Sequence, residues 1–203
     1  MIEIERRTFD CGGLSVERRA DESPQIVGHA AVFNALSVDL GGWREQIEPG
    51  AFTQAIREDD VRALLNHSPD VVLGRNRAGT LSLEEDRTGL RVAIDPPDTQ
   101  AARDLVVSIE RGDITQMSFG FRVRPSGANW AETDDGIIRT LTSVSLFDVS
   151  PVTFPAYPDT DVVVAKRSLV DWRLSNGMDD LNDEGSRARE DIRRRRFALD
   201  TIE

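Results

Sequence analysis

The sequence predicts a mainly β fold with helices (α+β), arranged as a closed or partly closed β-barrel surrounded by helices. Three observations carry that expectation. Short runs with a two-residue period recur along most of the chain, turn residues separate them, and only two segments of the main body show the spacing of a helix. The 203 residues, 39% of them apolar, suffice for one sizeable core rather than two. No internal repeat is present.

In chain order, Ile2 to Phe9 alternates, and Gly28-His29-Ala30-Ala31-Val32-Phe33 reads as a short strand. A short helix is expected from Pro49-Gly50-Ala51-Phe52 to Arg57, with proline at its start, where a missing N–H costs nothing. Val61-Arg62-Ala63-Leu64-Leu65-Asn66-His67 is an apolar strand-like run that ends in a histidine. Gly79 to Glu84 and Gly89 to Asp95 are two strands joined by a turn at Asp86-Arg87-Thr88-Gly89. A clearer helix follows Pro96-Pro97. Asp98 or Thr99 caps it, Ala102, Leu105, Val106 and Ile109 form its apolar face, and Arg111-Gly112 ends it. It leads into the strand Thr115 to Val123, and a long final run extends from Gly136 through Val149. Residues 1–167 thus form the folded body. Residues 168–203 form a charged tail with seven basic and nine acidic residues, including Arg193-Arg194-Arg195-Arg196, in which 186–199 fits a solvated helix.

Charge and composition exclude several functions. A net charge of −11 argues against a binder of nucleic acid or of an anionic membrane, which needs a basic patch to neutralise phosphates. All but one of the 25 basic residues are arginine, so Lys166 has no neighbours with which to make a lysine-based site. No 18-residue apolar stretch and no N-terminal signal segment occur, so a soluble cytoplasmic protein is expected. The single cysteine, Cys11, leaves no internal disulfide and no cysteine-based metal site, and no metal or organic cofactor is implied.

The chemistry gathers around one strand. Met117, Phe119, Phe121 and Val123 alternate with Gln116, Ser118, Gly120 and Arg122, which puts the first set on a core and turns Ser118 outward. Gly120, two residues along the same face, lets another group come close. A serine hydroxyl becomes a nucleophile only with a base within hydrogen-bond reach, and the chain offers two histidines, His29 and His67. His67 is the candidate base. Asp148, a carboxylate set in the apolar run Leu146-Phe147-Asp148-Val149, is costly to bury without a partner and is the best candidate to orient that imidazole. Plainer readings stand beside these. A strand serine is commonly just solvated, His67 fits a turn with Ser68-Pro69-Asp70, and Asp148 fits a pair with an arginine or a cap at Ser150-Pro151. His29 is a second candidate for the third position. Cys11, in a glycine turn, would serve a rival thiol mechanism but has nothing nearby to lower its pKa. No G-x-S-x-G elbow is present, which speaks against an α/β-hydrolase layout.

Several motifs in order resemble the prohead protease family of tailed bacteriophages. They run from Gly28-His29-Ala30-Ala31-Val32-Phe33, through Gly41-Gly42-Trp43-Arg44-Glu45 and Ile47-Glu48-Pro49-Gly50-Ala51-Phe52, to Leu64-Leu65-Asn66-His67 and Val72-Leu73-Gly74-Arg75. Asp98-Thr99 with Ala102-Arg103, Ile109-Glu110-Arg111-Gly112, Met117-Ser118-Phe119-Gly120-Phe121, Val149-Ser150 and Val152-Thr153-Phe154-Pro155-Ala156-Tyr157 complete the series. It spans roughly residues 1–165. The resemblance implies a serine endopeptidase with a barrel like that of the herpesvirus assemblins. Such an enzyme cleaves scaffold, or a scaffold-like N-terminal segment of the major capsid protein, and commonly itself, within the assembling procapsid in the host cytoplasm. The family's histidine falls on His67 and its serine on Ser118. Its usual acid before V-S falls on Asp148, whereas the assemblins use a second histidine, for which His29 is the sole candidate. Assemblins are activated by dimerising, which raises a homo-oligomer as a further partner. A catalytically silent assembly protein of the same fold, and an unrelated β-barrel binding module, are the alternatives.

Overall fold

Which strands bond to which follows from the two hydrogen-bonding edges that each strand has to offer. In the computed structural model, which describes residues 4–9, 13–134, 136–154, 163–176 and 178, the first elements are β1 (Glu5–Phe9), β2 (Ser15–Arg18), β3 (Pro24–Val32), β4 (Arg44–Ile47) and α1 (Thr53–Glu58). Next come β5 (Arg62–Leu65), β6 (Ser68–Arg75), a 3-10 turn (Asn76–Ala78), β7 (Leu81–Glu85), β8 (Gly89–Ile94) and α2 (Gln100–Glu110). Last are β9 (Gln116–Val123), β10 (Ala128–Thr133), β11 (Gly136–Leu141), β12 (Val144–Val152) and α3 (Val163–Ser175). The chain divides into two units, Met1–Val164 and Ala165–Glu203. The first holds all the described strands. In the second, α3 continues to Ser175, so the expected boundary after residue 167 falls inside a helix. The tail helix expected at 186–199 lies outside the described residues, as does Cys11.

The described strands form three open sheets, ordered β1-β9-β12-β5-β6, β2-β3-β8-β7 and β10-β11-β4. This corrects the expected barrel. β9 spends both edges on β1 and β12, and β3 spends both on β2 and β8, so these two strands have no free donors with which to join their sheets into a closed ladder. They meet face to face instead, with Gly28 of β3 beside the Met117 thioether. Between the sheets lies one core, to which Ile26, Leu73, Leu90 and Ile94 contribute alongside Phe119 and Phe121. Phe119 stacks on Phe121 at 4.9 Å and meets the edge of Phe52 at 5.5 Å, contacts worth about 0.5–1.5 kcal/mol each beyond their area.

Local chemistry explains the elements read correctly. The Thr99 hydroxyl accepts from Ala102 N–H and caps α2, whose buried residues are the four expected, and Gly112 takes φ +79° just past its end. Asp86 Oδ1 accepts from Thr88 N–H and Gly89 N–H and closes the β7–β8 hairpin. Other elements differ from expectation. α1 starts later, at Thr53, because Glu85 of β7 accepts from Phe52 N–H at 2.8 Å and from the Thr53 hydroxyl at 2.7 Å, fixing the first turn there. The final run is two strands in different sheets, parted where Thr142 and Ser143 N–H both bond to Gly127 O. β2, β4, β6 and β10 were not expected: β2 and β4 are only four residues long, and most side chains of β6 and β10 are exposed or half-buried.

Four buried charges tie the five-stranded sheet to the three-stranded one. Arg7 on β1 donates to Glu5 at 2.9 Å and to Glu45 of β4 at 2.9 Å, while Arg139 of β11 donates to Glu5 at 2.7 Å and to Glu45 at 3.0 Å. All four side chains are buried, and Arg139 also lies against the rings of Trp43 and Trp130. Burial pushes the Glu45 carboxyl up from its ordinary range, and the two guanidinium groups oppose that. Two arginines against two glutamates leave the cluster neutral, which is what makes its burial tolerable. Arg139→Met strands an extra carboxylate in the interior and is expected to cost about 3–5 kcal/mol, lowering the melting temperature by roughly 6–20 °C. Arg139→Met with Glu45→Leu leaves a neutral Glu5–Arg7 pair, so thermal unfolding should find the double variant more stable than Arg139→Met alone.

Candidate active site

The site is set by the register between β9 and β12. From Val144 to Leu146 each β12 residue pairs so that Leu146 lies opposite Phe121, but the next pair along the ladder is Asp148 with Gly120, leaving Phe147 as one extra residue. That bulge changes the phase of the strand. Without it Asp148 would sit opposite Phe119 and point into the core; with it, Asp148 and Ser150 share the face of Gly120 and Ser118. The oddity of a carboxylate in an apolar run is thereby resolved. Asp148 also requires Gly120 across from it: a Cβ there would overlap Asp148 Oδ1 and lie 3.5 Å from Ile4 Cγ2.

His67 arrives from the neighbouring pair. β5 runs parallel to β12, with Arg62 beside Asp148 and Ala63 beside Val149, and returns through a two-residue turn into β6. Asn66 and His67 occupy that turn with φ of +53° and +57°, the left-handed conformation that suits asparagine and histidine better than most residues. The turn is tied down at several points. Asn66 N–H donates to Pro151 O, its carboxamide oxygen accepts from Thr153 N–H at 2.8 Å, and its amide donates to the Thr153 hydroxyl at 3.1 Å. These bonds hold the imidazole over the face that carries Ser118.

The three candidate residues meet in a bonded chain. His67 Nδ1 donates to Asp148 Oδ2 at 2.5 Å, and His67 Nε2 lies 2.8 Å from Ser118 Oγ. With Nδ1–H committed to the carboxylate, the Nε2 lone pair faces the serine hydroxyl. That hydroxyl has a second acceptor, the Arg7 carbonyl of β1 at 2.9 Å, so its single hydrogen is shared between a base and a backbone oxygen. Ser150 donates to Asp148 Oδ2 at 2.7 Å. Ser118 and Ser150 are fully buried, and Asp148 is 7% exposed. The expectation that Ser118 faces solvent therefore fails: the polar face of β9 is covered at Ser118 and Gly120, although Arg122 farther along it is exposed. Arg62 does not pair with Asp148 but turns to Asp60 at 3.3 Å. His29 Nε2 donates to Asp86 Oδ2 at 2.8 Å, on the four-stranded sheet rather than at Ser118. Among the described residues no group of three or more His, Cys, Asp or Glu side chains is placed to hold a metal ion. Ser150, the Phe147 bulge and the Arg7 carbonyl went unread in the sequence; the change of phase from Val144 and Leu146 to Val149 and Pro151 was the signal that would have exposed the bulge.

Residues 14–173 match the family described as caudovirus prohead serine protease. The chain belongs to that family. It is accordingly a serine protease, one associated with maturation of the phage prohead, and its fold is similar to a solved relative. The structure of the bacteriophage T4 capsid assembly protease, gp21, aligns over 74% of this chain and 97% of that one with a TM-score of 0.51, at 10% sequence identity. Comparison with individual curated proteins gave no significant match. Among the described residues no helix is long and apolar enough to cross a membrane. For this prohead protease, Gly120→Ala is expected to spare the fold, because the overlapping atom is the end of a side chain, but to push Asp148 off His67. Proteolysis should then fall at least a hundredfold while the unfolding temperature moves by only a few degrees; unchanged proteolysis would contradict the crowding of Asp148 by Gly120.

Proposed function

We propose that this chain is the endopeptidase that cleaves scaffold, or a scaffold-like N-terminal segment of the major capsid protein, inside the procapsid, with Ser118 as nucleophile, His67 as base and then acid, and Asp148 as the group that orients His67. The observation that carries this reading is the unbroken series from Ser118 Oγ through His67 to Asp148 at 2.8 and 2.5 Å. As Ser118 Oγ attacks a peptide carbonyl, its proton passes to His67 Nε2, and the imidazolium so formed is stabilised by the Asp148 carboxylate at Nδ1. His67 then returns the proton to the leaving amine, an acyl-serine remains, and a water activated by the same nitrogen releases it. No step asks Asp148 to take up a proton. Because Ser118 is sealed from solvent in this state, a substrate segment reaches it only after the cover over the serine moves. A closed site suits a protease made inside the cell whose substrates it must meet only within the shell.

Co-expression with the cognate capsid precursor should give a shortened product, and Ser118→Ala or His67→Ala should abolish it; equal processing by Ser118→Ala would sink the mechanism. Asp148→Asn should reduce the rate by roughly 10⁴-fold and leave measurable activity, since catalysis persists without the orienting acid. His29→Ala should process the precursor normally.

A further inference from the structure

The Asp148 carboxylate is held by more than the imidazole. Its Oδ2 accepts two hydrogen bonds, from His67 Nδ1 at 2.5 Å and from the Ser150 hydroxyl at 2.7 Å, while Oδ1 occupies the space left by Gly120. Ser150 is fully buried, lies two residues along the same strand face, and sits directly opposite Ser118 in the β9–β12 ladder. The Ser150 hydroxyl is buried and so needs a hydrogen-bond partner, and Asp148 Oδ2 is the acceptor it meets. The torsion that spins a carboxylate about its Cβ–Cγ bond is broad and two-fold, so one hydrogen bond to His67 does not by itself fix which way the oxygens point. A second donor on the same oxygen does.

We propose that Ser150 is a positioning residue of the protease: by donating to Asp148 Oδ2 it locks the carboxylate in the orientation that holds His67 with Nε2 toward Ser118. The inference rests on the catalytic reading above. Ser150 touches no reacting atom. Its contribution is made through Asp148, and so it belongs to the turnover step rather than to substrate binding.

The test uses the purified full chain and the cognate capsid precursor as substrate. Ser150→Ala is expected to lower kcat about tenfold to a hundredfold, the range that a hydrogen bond to a charged acceptor supports, with KM changed less than twofold. The downfield proton resonance of His67 Nδ1–H should shift or broaden in the same variant. In an Asp148→Ala background, where no carboxylate remains to be oriented, adding Ser150→Ala should cost nothing more; a merely structural serine would cost the same in both backgrounds. Full kcat in Ser150→Ala, or an additive loss with Asp148→Ala, overturns the proposal. Should Ser150→Ala not fold, Ser150→Val, which removes the donor while filling the space, is read by the same criteria. Ser118→Ala run alongside separates the two levels: if that variant still cleaves, the catalytic reading has failed, whereas an inactive Ser118→Ala with a fully active Ser150→Ala defeats only the role of Ser150.

Discussion

The register between β9 and β12 is the constraint on which the site depends. One extra residue, Phe147, divides β12 into a segment whose even-numbered positions Val144 and Leu146 face the core and a segment whose odd-numbered positions Val149 and Pro151 do so. A slip of one residue would exchange the two faces along the whole of the second segment. Asp148 and Ser150 would then be driven against Phe119 and Met117, and Val149 would lie over Ser118. Apolar packing of Val149 and Phe119 thus enforces the polar arrangement on the reverse face, because turning Val149 out of the core and driving Asp148 into it, away from His67 and Ser150, would each cost free energy. The order of the core and the order of the site are one fact.

Gly120 completes that arrangement from the opposite strand. Its missing side chain was read in the sequence as room for another group near Ser118, and the group is the Asp148 carboxylate rather than a ligand. The pairing explains why a strand otherwise built from large residues carries a glycine at its centre, where glycine weakens a strand. The loss of β propensity is local, and the carboxylate that takes the space is bonded to two partners.

Much of this was legible in residue order, and the unread part has physical causes. The two-residue period of β9, the caps and apolar face of α2, and the Asp86 turn are local signals, so they survive without tertiary context. The three residues of the bonded chain were legible as types: a serine on a polar strand face, a histidine at a strand end, and an acid where an acid is expensive. The bulge was not, since a single inserted residue leaves hydrophobicity nearly unchanged and shows only as a change of phase. The split of the final run into β11 and β12 was hidden for a related reason, as Thr142 is a good strand residue and the bonds of Thr142 and Ser143 to Gly127 depend on distant chain. Sheet closure was overestimated because strand count says nothing about which edges are already used.

β1 shows how separate requirements converge on one short segment. Its odd-numbered residues Glu5 and Arg7 point to the core side of the sheet and enter the neutral cluster with Glu45 and Arg139, while its backbone presents the Arg7 carbonyl to Ser118 on the other side. The strand lies before the segment that matches the family, yet it occupies one whole edge of the strand that carries the serine. Exposed ion pairs would hold such an edge weakly, by at most about 1 kcal/mol each. Buried and mutually neutralised charges behave differently, because sliding β1 by two residues would strip Glu45 of Arg7 and Arg139 of Glu5 in a dry interior, leaving each with fewer bonds than its charge needs there. The cluster therefore fixes the position of β1 more than it adds to stability, and through the Arg7 carbonyl it fixes where the Ser118 hydroxyl finds its second acceptor.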